Sequence, residues 1–252
     1  MNSIKQALTG AVVALCLSGL PLPAAHAQTR TATDSSGHQL KVDGTVVLIE
    51  PDIELSLITA GGLNEPRKEW SENARKLYPR AVHDLLAGAK TQRKDDYDVP
   101  DDLDPNSRLG QVMRLNQAVA LSIAQYSQAG NNALATKKDP KTNKPRLDWT
   151  LGQGVTELRE ATGADYGLFT YVRDSYASGG RKAVRMLAMI TGAALGAYVD
   201  VGGGSQIGVA TLVDLRTGQV VWFNLMAKQS GDLRDEKGAK GTVASMLKDI
   251  PL

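Results

Sequence analysis

Apolar positions in this chain fall into two rhythms, short continuous or alternating runs and longer stripes at helical spacing. Thr45 to Pro51 (TVVLIEP) is a β-branched apolar run, as expected of a strand buried on both faces. Ile53, Leu55 and Leu57 then alternate with Glu54 and Ser56, an extended segment with one wet face that Gly61-Gly62 breaks. Asn64 is placed to cap a helix with Pro66 in its first turn, and Trp70, Ala74, Leu77, Ala81 and Leu85 form its inward stripe. Pro79 inside that stripe predicts a kink or a split.

A polar loop, Thr91 to Asp104, holds six aspartates at 95, 96, 98, 101, 102 and 104. Asp104-Pro105 then reads as cap and first turn of a second helix, with Leu109, Val112, Leu115, Val119, Ile123 and Tyr126 inward and Gly130-Asn131-Asn132 as its stop. Lys137, Lys138, Lys141, Lys144 and Arg146 follow. Acidic residues before a helix and basic ones after it complement the helix dipole. Asp148 or Thr150 is expected to cap a third helix, with Leu151, Val155 and Leu158 inward and Gly163 as its end.

Tyr166 to Val172 follows at once, apolar on both faces, and is expected to be the central strand of the sheet. Met186 to Val199 carries no charge, and its ordinary reading is a buried helix. Its sharper reading is a surface that docks on a membrane or a sister subunit, with Gly192 and Gly196 permitting close packing. Gln206–Val213 and Gln219–Leu225 pair about a turn near Arg216-Thr217-Gly218, and an amphipathic helix over Lys237 to Leu247 closes the chain. The sum is a single mixed α/β domain over 41–252, a mixed sheet with a C-terminal β-hairpin, covered by helices, preceded by a flexible tail at 28–40.

The first 27 residues change the picture. Lys5 gives a positive start, Ala7 to Leu20 an uncharged and mostly apolar run, and Ala25-His26-Ala27 a small-x-small cleavage site. That run is too short for a membrane span of about 20 residues, so 1–27 reads as a cleaved signal peptide and the chain as periplasmic or secreted. Cys16, the only cysteine, lies inside it and precedes Leu17, which argues against lipidation. The remaining 225 residues hold no thiol, so disulfides and cysteine-based zinc sites are excluded. The formal charge is +2, or +1 once Lys5 leaves, which does not point to nucleic acid.

Candidate chemistry is sparse. The sequence has no Gly-x-Ser-x-Gly, no Gly-Lys-Ser/Thr phosphate loop and no His-Glu-x-x-His. His83 reads as a partly buried structural histidine. Asp96-Tyr97-Asp98 and its neighbours lack the glycine and terminal glutamate of a calcium-binding EF-hand loop. Glu50, Asp52 and Glu54 are either a solvated strand face or an acid–base pair for a periplasmic hydrolase acting on saccharide or peptidoglycan. The strongest binding candidate is the loop expected after the central strand, with Arg173, Ser178, Gly179, Gly180, Arg181 and Lys182. Ser178 caps a following helix, and the glycines and cations suit an anion. The alternative is an ordinary connection. No metal or cofactor is expected.

Gly163-Ala164-Asp165-Tyr166 and the hairpin Asp214-Leu215-Arg216-Thr217-Gly218-Gln219-Val220-Val221-Trp222 carry a resemblance. The chain resembles a group of bacterial envelope α/β proteins: the curli-secretion lipoprotein (CsgG-like) family, the LpoB-like activators of peptidoglycan synthases, and the amino-terminal domain of TolB. The likeness covers roughly 45–60 and 150–252. It implies a non-catalytic binding or assembly role in the envelope, read here as directed toward a partner protein or cell-wall component; a homo-oligomer joined through Met186–Val199 is a separate expectation from that uncharged segment.

Overall fold

The computed structural model describes residues 28–34, 36–127, 134–194, 204–228 and 231–252. The signal-peptide reading and Gly130-Asn131-Asn132 fall outside them, as do residues 195–203. Among the described residues, eight strands make one mixed, open sheet with five α-helices.

Gln28–Thr31 is β1, not a loose tail; it pairs antiparallel with Leu225 to Trp222, and Ala32 beyond it is fully buried. The polar composition that suggested mobility is what an outer strand carries on its wet side. Thr45–Leu48 is β2 and Asp52–Ile58 is β3. The ladder breaks between them, where Pro51 has no N–H to donate. β4 is Asn64–Pro66, paired antiparallel with β3. The expected helix cap is therefore a strand: Asn-Glu-Pro suits a helix start and an outer strand alike, and the ladder to Ser56–Ile58 decides for the strand.

Helix α1, Lys68–Leu86, starts at Arg67 without a side-chain cap and runs through Pro79 without splitting. Its buried stripe is Ser71, Ala74, Tyr78, Ala81 and Val82; Trp70 and Leu77 are half-buried and Leu85 is exposed. The stripe is rotated by about one residue because Ser71 turns inward, where its Oγ accepts the Leu55 N–H at 2.9 Å. Gln92–Arg93 is β5, a short parallel partner of β2 inside the aspartate-rich loop.

Helix α2 is Arg108–Tyr126, and its cap is Ser107, whose Oγ accepts from Gly110 N at 3.1 Å. Asp104 serves the preceding turn, accepting from Asn106 N at 2.8 Å. Asn116 and Ala120 face inward where Leu115 had been expected to, and Leu115 is exposed. A 3-10 turn over Gly152–Val155 leads into α3, Thr156–Thr162, without a side-chain cap. Leu151, Val155 and Leu158 are buried, and Gly163 ends the helix at φ 63°.

Strand β6, Tyr166–Ala177, is the centre of the sheet. β2 and then β3 lie parallel along one edge of it; along the other runs β7, Gly204–Asp214, antiparallel. β8, Val220–Lys228, completes the hairpin, with Gly218 at φ 77° in the turn. Alternation sends Leu168 and Val172 into one core and Phe169 into the other. Helix α5, Glu236–Met246, is capped by Asp235 and lies with α1 over the first core, while α2 and α3 cover the second.

Helix α4, Gly179–Ala194, departs most from expectation. A run without charges reads as buried, yet Met186 and Leu187 are 62 % and 65 % exposed and Val184 is exposed as well. The helix leaves the end of β6 directly after Ser178.

Candidate functional site

The loop expected at 173–182 is not a loop. Its first half, Arg173 to Ala177, continues β6, because Glu54 to Ile58 and Gly204 to Ile207 still offer partners there. Its second half is the start of α4. Ser178 caps that helix as expected, its Oγ accepting from Arg181 N at 3.0 Å. Gly179 and Gly180 form its first residues, and a Cβ on Gly180 would lie 3.0 Å from that of Ala60. Arg181 lies beside Gly62, and Lys182 borders a polar cavity of about 220 Å³ with Asp174, Ser205, Asp232 and Arg234.

Arg173 is separated from those five residues by strand alternation. It sits on the α2 side of the sheet, in an ion pair with Asp52. Its Nη1 donates to Asp52 Oδ1 at 2.8 Å, and its guanidinium lies 3.9 Å from the centre of the Tyr171 ring. Asp52 Oδ2 accepts from Gln117 Nε2 of α2 at 3.1 Å, so each oxygen of this carboxylate is held by a side-chain donor.

That clamp forms the edge of a cleft of about 110 Å³ between α2 and the sheet. Met113, Ala120, Leu121, Phe169 and Val209 are its apolar walls, and Glu50, Asp52, Asn116, Gln117 and Thr211 its polar groups. Glu50 reaches it from the break between β2 and β3, and its Oε2 accepts from Val99 N at 2.9 Å. Thr211 donates to Asn116 Oδ1 at 2.9 Å beneath the surface. Two of the three carboxylates singled out in the sequence thus share one cleft, whereas Glu54 is exposed and does not line it. An apolar trough edged by amides and carboxylates is the usual make-up of a small binding site.

On the opposite face of β6 stands a group the sequence reading missed. Asp174 is only 2 % exposed. Its carboxylate accepts from the Tyr176 hydroxyl, from Gln206 Nε2 at 2.7 Å and from Leu233 N at 3.3 Å. Burial pushes its pKa up, and the three donors pull the other way. Burial and the neighbouring carboxylate also raise Tyr176. Arg234 lies 4.0 Å from the Tyr176 ring centre and 5.1 Å from that of Trp70, and its partner Asp232 is held below the usual carboxylate range. This network fastens residues 232–234 to the sheet. Continuing the inward alternation Leu168, Thr170, Val172 would have flagged an aspartate at 174.

His83 Nε2 contacts both oxygens of Asp96 at 2.8 and 2.9 Å and ties the aspartate-rich loop to α1. Among the described residues, no group of three His, Cys, Asp or Glu side chains is placed to hold a metal ion. No described helix is long and apolar enough to cross a membrane.

Fold and cleft together define a single-domain mixed α/β protein with a small, largely apolar trough beside its central strand. No protein-family model matches the chain, and no curated protein matches it. Among solved structures it is similar to the PelC dodecamer of Paraburkholderia phytofirmans, at 11 % identity over 88 % of this chain and 94 % of that one, with a TM-score of 0.39. A point variant of the same dodecamer gives 12 % identity, 88 % and 95 % coverage and a TM-score of 0.38.

Proposed function

We propose that this chain is an exported protein of the bacterial cell envelope with a non-catalytic binding or assembly role toward a partner protein or cell-wall component. The leader pattern from Lys5 to Ala27 supports export. The observation that carries the non-catalytic reading is the Asp52 clamp. Arg173 and Gln117 each donate to one of the Asp52 oxygens and so fix the carboxylate in a single orientation, as a recognition group is held. The cleft is then a recognition surface, its polar groups fixed in orientation before a ligand arrives.

A second reading, a periplasmic hydrolase acting on saccharide or peptidoglycan, rests on Glu50 and Asp52 lining the same cleft. One experiment separates the two. Soluble peptidoglycan fragments are titrated into the wild type and into Ala120→Trp, which fills the cleft, and soluble products are assayed in parallel. Binding that is lost in Ala120→Trp, without turnover, supports recognition of a wall component through the cleft. Turnover that is lost in Glu50→Gln would replace this reading with the hydrolase.

A further inference from the structure

Most surface helices turn their apolar stripe toward the body of the protein. Helix α4 does the reverse. Among the described side chains of this helix, Arg181 and Ala188 are half-buried, whereas Val184, Met186, Leu187 and Met189 are exposed. A second element brings another apolar side chain to the same end of the molecule. The turn joining β3 to β4 is closed by Thr59 N donating to Leu63 O at 2.9 Å, and it presents Leu63 at 72 % exposure. The first turn of α4 sits against this turn, Gly180 beside Ala60 and Arg181 beside Gly62.

Charge selects the occupant. Between Asp174 and Asp200 the sequence carries Arg181, Lys182 and Arg185 and no acidic residue. Lys182 is exposed in the first turn of the helix. An apolar, methionine-rich face with cations at one end matches an anionic lipid surface, into which the side chains enter while the cations meet headgroups. A protein partner or a second copy could cover the apolar face, but neither calls for an acid-free stretch.

We infer that α4 and the β3–β4 turn form a docking surface for an anionic bilayer, with Leu63, Met186 and Leu187 entering it and Lys182 at its headgroup edge. The surface lies away from the α2 cleft, so its test is independent of the role assigned to that cleft.

The test is co-sedimentation of the purified chain with vesicles of phosphatidylcholine alone or mixed with phosphatidylglycerol. The wild type is expected to pellet with the mixed vesicles and to be released by salt. Met186→Glu/Leu187→Glu and Leu63→Glu are expected to weaken binding by about tenfold or more. All three positions are exposed, so the melting curves of the variants should match the wild type. If the double variant does not fold, Lys182→Gln and salt titration of the wild type still read the electrostatic part. Wild-type chain that stays in the supernatant with mixed vesicles overturns the inference. So does equal binding to neutral and mixed vesicles, or unchanged binding by folded variants. Light scattering on the same samples covers the remaining case: a wild-type oligomer that Met186→Glu/Leu187→Glu dissociates, with no vesicle binding, assigns the face to a second copy and overturns the inference too.

Discussion

Asp174 and Tyr176 stand two residues apart on the same face of β6, and the tyrosine hydroxyl donates to the aspartate while accepting the Leu233 N–H at 2.9 Å. One hydroxyl thus joins the central strand to the segment leading into α5. Tyr176→Phe leaves the Leu233 N–H and the Asp174 carboxylate each short of a partner. It should cost about 1–3 kcal/mol in urea-induced unfolding. A loss below a few tenths would mean that the segment is held by other contacts.

The same carboxylate has a pH signature. Its pKa is raised in the folded chain, chiefly by burial, so the folded state holds the proton more tightly than the unfolded one. Its contribution is fully present below the unfolded value of about 3.9 and is lost as pH rises through the folded value. Asp165 has the opposite sign. The Thr45 N–H, donating at 3.0 Å, is the main cause of its lowered pKa. Its contribution is present above the unfolded value and lost as pH falls through the folded one. Asp165→Asn should therefore flatten the acid side of the stability profile, and Asp174→Asn should remove a decline on the side above about pH 4. Chemical denaturation across pH reads both slopes.

Gly218 in the β7–β8 turn has φ 77°, and a Cβ there would come within 2.2 Å of the Gly152 carbonyl oxygen. Gly218→Ala should destabilise the fold by about 1–3 kcal/mol, since both the backbone conformation and the close approach oppose a side chain. Gly37 is the control. It has φ 85° but open space around it, so Gly37→Ala should cost only the backbone strain, about 1–2 kcal/mol, and less than Gly218→Ala. Thermal melts of the two variants give the comparison.

How far the sequence spoke depended on whether the deciding contact was local. The central strand was legible because Leu168 and Phe169 are both apolar and β-compatible, and each found its own core. The closing hairpin and Gly163 were legible because turn and stop chemistry is local. The starts of α1 and α2 were not: Asn64-Glu65-Pro66 and Asp104-Pro105 follow helix-start grammar, and a strand partner in β3 and the competing cap Ser107 settled the matter. The site divided for the same reason. Arg173 and Lys182 lie nine residues apart, but whether the chain between them is loop or strand was decided by the lengths of β3 and β7. The Asp52 clamp needs α2 laid across the sheet to bring Gln117 to it, and no spacing in the sequence announces that.

The apolar run from Met186 was the least legible. Lack of charge marks a segment that avoids water, but it does not say whether protein or lipid covers it.

The measurement that bears most directly on the non-catalytic role is the release of reducing ends from purified peptidoglycan sacculi by the wild type and by Glu50→Gln and Asp52→Asn. The expected result is no release above the buffer control by any of the three. Release by the wild type that either substitution abolishes would contradict the account and make the cleft an active site.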